Sequence, residues 1–308
     1  MREINAGDIV NAVAELCIKA NCVLNDDVYS ALELAKKNEK SEIGKELLNQ
    51  LTDNADIAKN ENVPICQDTG MAVVFVELGQ EVHISGGSLT DAVNAGVRKG
   101  YKEGYLRKSV VSDPFIRVNT NDNTPAIIHY DIVEGDKLKI TVAPKGFGSE
   151  NMSKIYMLKP SAGIEGAKDA IIQAVDEAGP NPCPPMVVGV GVGGNFEMSA
   201  YLAKKALLRP IGSHSDKPHL REMEEELLDR MNRLGIGSRR CYYCAWRECG
   251  VLSNTYSRYA YCRKYKLPCD KTCGGGFMRV NITTPLTKET ASKLRAGDII
   301  SLSGYIYT

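Results

Sequence analysis

The 308-residue chain carries 38 basic and 38 acidic side chains, and this balance gives a nucleic-acid role no overall electrostatic support. Its length suits one large or two ordinary domains with a substantial core. No run of 18 apolar residues occurs and the N-terminus lacks an apolar signal core, so the expectation is a soluble cytoplasmic protein with reduced thiols and no membrane association.

Residues 5–60 show helical periodicity. Ile9, Val10, Val13, Leu16 and Cys17 share one stripe, and Leu32, Leu34, Ala35, Leu47, Leu48 and Leu51 lie on later ones, which predicts two or three packed helices. Pro64-Ile65-Cys66-Gln67-Asp68-Thr69-Gly70 follows as a polar loop whose Asp-Thr-Gly is a turn signal. The apolar run 71–78 after it reads as a buried strand. A thiol, an amide and a carboxylate within three residues could supply a metal ligand, a hydrogen-bonding group and a general acid or base. The competing account is a core thiol beside a turn.

A helix is expected from Ser88, where Ser88-Leu89-Thr90-Asp91 offers a capping box variant, to Arg107-Lys108. Residues 126–133 and 138–143, separated by a Glu-Gly-Asp turn, read as a hairpin. The glycine-rich turn 145–151 then precedes Met152; it could let backbone amides approach an anion, or be a structural turn, and it matches neither a Walker loop nor a dinucleotide fingerprint. A helix over about 163–178 leads to Asn181-Pro182-Cys183-Pro184-Pro185 and to residues 187–192, read as a buried strand feeding a glycine loop. Cys66 and Cys183 thus stand alike, each in a proline-flanked loop beside an apolar run. That pattern suits ligation of one shared cluster, or two unrelated core thiols.

After a helix at 218–233 the composition changes. Residues 238–277 hold six of the ten cysteines, six tyrosines, and eight basic side chains against Glu248 and Asp270, with no helix or strand period. Strand-like order returns at 278–287 and at 298–307, with a short helix between them.

At the 64–70 motif the chain resembles the iron–sulfur hydro-lyases, the class I fumarase and L-tartrate dehydratase family, in its two-subunit form. Also similar to that family's α subunit are Gly104-Tyr105-Leu106-Arg107-Lys108-Ser109, Asp122-Asn123-Thr124-Pro125-Ala126, the 145–151 turn, Cys183-Pro184-Pro185 and residues 191–197. The resemblance covers residues 1–237 in order. It implies a [4Fe–4S] cluster held by three cysteines with one iron open as a Lewis acid, a small dicarboxylate substrate, and a separate β subunit in a hetero-oligomer or dimer. Fumarate hydration to malate is the first activity implied, with L-tartrate dehydration as the alternative. Position by position it makes Cys66 and Cys183 two cluster ligands, places Gln67 and Asp68 beside the open iron with Asp68 a candidate acid, makes Arg107 a carboxylate contact, and gives Gly148 and Ser149 backbone donors.

The expected fold is α+β: an N-terminal helical part over about 1–60, then a mixed α/β part carrying the cysteine loops, together the catalytic domain 1–237. The family's third cluster cysteine, in an Asn-Cys-His motif, is not found, and no histidine follows His219. Back-translation of residues 253–261 in a shifted frame permits the family's Pro-Thr-His-Ile-Ala-Gly segment. Residues 238–277 are therefore expected to be an out-of-frame, poorly ordered segment, and 278–308, which resembles the opening of the family's β subunit, to begin a different polypeptide at Met278. Such a chain is expected to be inactive alone, or to serve only as a partner-binding subunit. A competitor of another class is a zinc-binding nucleic-acid module at 238–277, built on Cys241, Cys244, Cys249, Cys262, Cys269 and Cys273.

Overall fold

The computed structural model describes residues 2–183 and 185–236, together with the backbone of 279–283 and 299–303. The chain divides into two compact units, Met1–Ala260 and Tyr261–Thr308. The fold is α+β, as expected, and no helix among the described residues is long and apolar enough to cross a membrane.

In the first unit a short strand β1 (Arg2–Asn5) pairs in parallel with β3 (Val82–Ser85) and leads into helix α1 (Ala6–Cys22). Asn5 caps that helix by accepting from the Gly7 amide at 2.8 Å. Helices α2 (Asp26–Asn38) and α3 (Glu42–Glu61) complete the helical part. The strand β2 (Met71–Gly79) then runs between β4 (Ile127–Val133), parallel to it, and β5 (Leu138–Lys145), antiparallel to it.

Five consecutive residues of β2, 72–76, are buried, because both faces of this strand are covered. Ala72, Val74 and Val76 join Ile9, Val13 and Cys17 of α1 and Val93, Val97 and Tyr101 of helix α4 (Leu89–Glu103) in one core. Each helix contributes an i, i+4, i+8 stripe. On the opposite face Phe75 stacks on His129 at 5.0 Å, and both rings pack against Tyr201 of helix α7 (Phe196–Ala206). The helices α1 and α4 approach closely at two glycines. A Cβ on Gly96 would lie 2.6 Å from that of Val13, and one on Gly100 would lie 2.7 Å from the Ala14 carbonyl oxygen. A second apolar cluster joins Leu24, Val28 and Leu32 to Leu48, Ala55 and Ala58 of α3 and to Ile65, with Cys183 and Ile211 packed against it.

Helices α6 (Gly163–Ala178) and α8 (Pro218–Arg233) lie where the sequence places them. Three expectations are corrected. Strands β4 and β5 are not a hairpin: β2 lies between them, and the carbonyls of the segment that joins them accept from amides at the end of β2, with Gly79 N donating to Lys137 O at 2.8 Å and Gln80 N to Val133 O at 2.9 Å. Helix α4 stops at Glu103, four residues short of Arg107, because Tyr105 takes a left-handed backbone (φ 52°) and Leu106 N turns back to Tyr101 O at 3.1 Å. Residues 187–192 join no strand. They run instead along α7, where a Cβ on Gly189 would fall 2.3 Å from the Ala203 carbonyl oxygen and one on Gly191 2.1 Å from that of Ser199.

In the second unit β6 (Arg279–Thr283) and β7 (Ile299–Ser303) pair in parallel, in register from Arg279 with Ile299 to Thr283 with Ser303. Both fall within the two stretches expected to be strands.

Candidate functional site

The loop 66–70 is fixed from several directions because it opens the central strand. The Ile65 amide donates to Asn21 O at 2.9 Å, and Asn54 Nδ2 donates to Ile65 O at 3.0 Å, so the residue before Cys66 is tied to α1 and α3. The Tyr101 hydroxyl donates to Thr69 O at 2.8 Å. Asn123, fully buried, donates from Nδ2 to Gly70 O at 3.1 Å and accepts at Oδ1 from the amides of Ser109 (2.7 Å) and Val110 (3.2 Å). Thr69 Oγ1 donates to the Arg107 carbonyl oxygen at 2.9 Å. Gly70 sits at φ +63°, with the position of a Cβ only 2.2 Å from the Lys145 carbonyl oxygen, so no larger residue fits this close approach of β2 to β5.

Within that frame the Asp68 amide donates to Cys66 Sγ at 3.2 Å, a donor suited to a thiolate, and the Asp68 carboxylate accepts from Gly70 N at 3.2 Å. The Gln67 side chain is exposed and lies 3.9 Å from the Cys66 sulfur. Lys145, at the end of β5, pairs with Met71, the first residue of β2. Its ammonium reaches Ser149 Oγ and the Gly146 carbonyl oxygen, and it ion-pairs with Glu150 at 3.4 Å. Burial pushes the Lys145 pKa below the ordinary lysine value, against the opposing charges of Glu150 and Asp68. Gly148 and Ser149 lie in the one-turn helix α5 (Phe147–Glu150) that follows.

The expected site residues therefore fall into groups. Cys66, Gln67 and Asp68 sit on a loop bonded directly to the backbone of Arg107, and the strand pairing of Met71 with Lys145 brings the turn holding Gly148 and Ser149 beside the same loop. The Arg107 side chain is exposed and makes no ion pair among the described residues. Cys183 packs against the apolar cluster that contains Ile65, the neighbour of Cys66, and takes a left-handed backbone (φ 62°), a conformation that a non-glycine residue adopts only where its surroundings hold it.

The four cysteines of the described residues divide in two. Cys17 and Cys22 are fully buried, and burial pushes the Cys17 pKa up to about 12. Cys66 and Cys183 are partly exposed. A cluster with three thiolates is only partly matched by this donor set. Two thiols suit it, and no group of three His, Cys, Asp or Glu able to hold a metal ion exists among the described residues. The expected out-of-frame segment, with its six cysteines, and the competing zinc module both lie outside the described residues.

Sequence reasoning passed over Tyr101, Thr69 and Asn123 as site-forming residues. A signal for Asn123 was present in Asn121-Asp122-Asn123, a run of residues that tolerate left-handed backbone, which Asn121 (φ 65°) and Asn123 (φ 60°) adopt.

The sequence pattern of the fumarate hydratase (Fumerase) family matches residues 10–240. The chain is 42% identical over 236 residues to a Methanocaldococcus jannaschii protein provisionally named L(+)-tartrate dehydratase subunit alpha, an alignment covering 75% of this chain and 82% of that one. It is 34% identical over 245 residues to the L(+)-tartrate dehydratase subunit alpha of Escherichia coli K12, covering 77% of this chain and 80% of the relative, and the same holds for the protein of that name from Shigella boydii serotype 4. With its cysteine loop, its Asn-Thr-Pro segment and its glycine turn assembled at one strand end, the chain belongs to the fumarate hydratase family of hydro-lyases.

Proposed function

We propose that the chain is the α-type subunit of an iron–sulfur hydro-lyase that removes water from L(+)-tartrate. The observation that carries this is the loop 66–70, which presents a thiol, an amide and a carboxylate while bonded to Arg107 through Thr69 and abutting Lys145 through Gly70. Removal of water from a hydroxy-dicarboxylate needs a proton acceptor or donor beside the reacting carbons and cations or amides for the carboxylates. Asp68 is assigned the proton transfer, its carboxylate kept in place by the Gly70 amide. The Arg107 guanidinium is assigned one substrate carboxylate, for which its fork geometry suits bidentate pairing. The amides of Gly148 and Ser149 are assigned the other, and Gln67 a hydrogen bond to the substrate. Cys66 and Cys183 would hold a [4Fe–4S] cluster, which when bound supplies Lewis acidity toward the departing hydroxyl. A third thiolate must come from outside the described residues.

The names of the relatives given above, L(+)-tartrate dehydratase subunit alpha and provisionally so for the Methanocaldococcus protein, favour tartrate and imply a separate β subunit. The family description favours fumarate and malate as a second reading. In this proposal residues 1–237 are the catalytic domain and 278–308 the start of a β-subunit-like one. Thiolates that must remain reduced fit a cytoplasmic setting.

The test is anaerobic reconstitution of the full chain with iron and sulfide, with and without the β subunit of an L(+)-tartrate dehydratase, followed by assays for water loss from L(+)-tartrate and for hydration of fumarate. Turnover of tartrate that depends on the β subunit is expected. Iron incorporation unchanged by simultaneous Cys66→Ser and Cys183→Ser substitution would sink the proposal.

A further inference from the structure

The two cysteine-bearing segments are joined by an ionic bridge that the chemistry above does not use. Glu150 accepts from Lys204 of α7 and ion-pairs with Lys145 of β5 at 3.4 Å. Lys145 is buried, with 8% of its surface exposed, and its backbone carries the contact with Gly70 that seats the Cys66 loop. Lys204 directly follows Ala203, whose carbonyl oxygen abuts Gly189, and Ser199 one turn earlier abuts Gly191, so the backbone of α7 is the floor on which the segment after Cys183 rests. Burial works against the Glu150 charge, and its hydrogen bonds and charge interactions with Lys204 and Lys145 overcome that, holding its carboxyl below the usual glutamate value.

A buried ammonium is a costly way to fill space, because an apolar side chain of similar volume would pack there without the desolvation penalty. What the ionic version adds is direction. One carboxylate can grip both ammonium groups only while β5 and α7 stay within reach of the two lysine side chains.

We propose that Glu150 is a positioning residue: by holding Lys145 and Lys204 together it fixes the loop bearing Cys66 relative to the segment bearing Cys183. This rests on the reading that the two thiols serve one centre, and it is tested without that centre. The full-length, metal-free chain is alkylated anaerobically with N-ethylmaleimide, and the rate at each cysteine is followed by peptide mass spectrometry. In Glu150→Gln and in Lys204→Met the rates at Cys66 and Cys183 are expected to rise together by about fivefold, the effect of roughly 1 kcal/mol of local loosening. Lys204→Arg, which keeps the ion pair, is expected to stay at the wild-type rates. The buried Cys17 and Cys22 report whether the fold survives.

Rates unchanged from wild type, or a rise at Cys66 alone, would overturn the proposal. Should Glu150→Gln also expose Cys17 and Cys22, the Lys204 pair decides: equal rates in the Met and Arg variants overturn it, and loosening confined to Lys204→Met supports it. Coupled alkylation in a chain that takes up no iron would remove the cluster and leave the bridge standing.

Discussion

The Thr69 hydroxyl donates to the backbone carbonyl of Arg107 across 2.9 Å, joining residues 38 positions apart in the chain. Arg107 follows the buried Leu106, and the backbone of Thr69 is itself held by Tyr101. The proposed acid Asp68 and the proposed carboxylate contact Arg107 therefore sit on two backbones that share one hydrogen bond.

Thr69→Val keeps the shape of a side chain that is 3% exposed and removes that bond. The expected loss is about 1–2 kcal/mol of stability, the value of a hydrogen bond whose partner is left without its donor. In the reconstituted enzyme the same change is expected to raise KM for the dicarboxylate more than it lowers kcat, since it displaces the Arg107 backbone and leaves Asp68 bonded to Gly70. Urea unfolding and steady-state kinetics check the two halves separately. A fall in kcat at unchanged KM would contradict the assignment of Arg107 to binding.

Asn123→Ala should be costlier. Its amide group serves three backbone partners, Ser109 N, Val110 N and Gly70 O, from a fully buried position. Gly70 O retains the Tyr101 hydroxyl at 3.3 Å, so two orphaned amides dominate the loss, at about 1–3 kcal/mol each. Asn123→Asp restores the acceptor for those amides and places a carboxylate oxygen against Gly70 O. It should recover part of the stability in denaturant melts while leaving the 66–70 loop looser than in wild type.

What could be read from sequence followed from periodicity. The central strand was legible because a run buried on both faces carries an unbroken apolar signature, and α1 because Ile9, Val13 and Cys17 repeat at four-residue spacing. Adjacency misled at 126–143: two strands joined by a short turn normally pair, and nothing local records that β2 enters between them. The stretch 187–192 alternates valine and glycine as a strand would, yet Gly189 and Gly191 serve close approach to a helix. The asparagine-rich run marked a turn at Asn123 but not what its side chain holds, because its partners lie 13, 14 and 53 residues away. Cys66 and Cys183 are both partly exposed, as suits the proline-flanked loops in which the sequence sets them, whereas the Lys145–Glu150–Lys204 bridge left no local trace, since Lys204 is 54 residues from Glu150.

Gly100→Ala tests the helix crossing that places Tyr101. Alanine is the better helix former by about 1 kcal/mol, so on an exposed helix the change would stabilise. Here the new methyl group would meet Ala14 O at 2.7 Å and Cys17 Cβ at 2.9 Å, forcing α1 and α4 apart. Overpacking at about 1–3 kcal/mol outweighs the propensity gain, and a net destabilisation is expected in thermal melts. Alkylation of Cys17, which faces this contact, should become detectable. A higher melting temperature would show that α1 and α4 separate at little cost.

Asp122 links acidity to the same frame. It accepts from Arg98 Nε at 2.7 Å and from the amide and hydroxyl of Thr124 at 3.0 and 2.7 Å, bracketing Asn123 between two fixed neighbours. Burial would raise its pKa; the hydrogen bonds from Arg98 and Thr124 and the Arg98 charge outweigh that and hold it down to about 2, below the ordinary value of 3.8. Because the folded value lies below the unfolded one, the carboxylate stabilises the fold fully above about pH 4, and the contribution drains away as pH falls toward 2. The comparison is wild type against Asp122→Asn, which keeps the shape and removes the charge. The difference in their unfolding free energies is expected to be constant between about pH 5 and 8, then to shrink on acidification with a slope below about 1.4 kcal/mol per pH unit. Since Arg98 is half-exposed, with 53% of its side chain accessible, added salt should narrow the gap at neutral pH. Parallel stability curves down to pH 2 would mean that Asp122 holds the turn through its shape and its Thr124 bonds, with no contribution from charge.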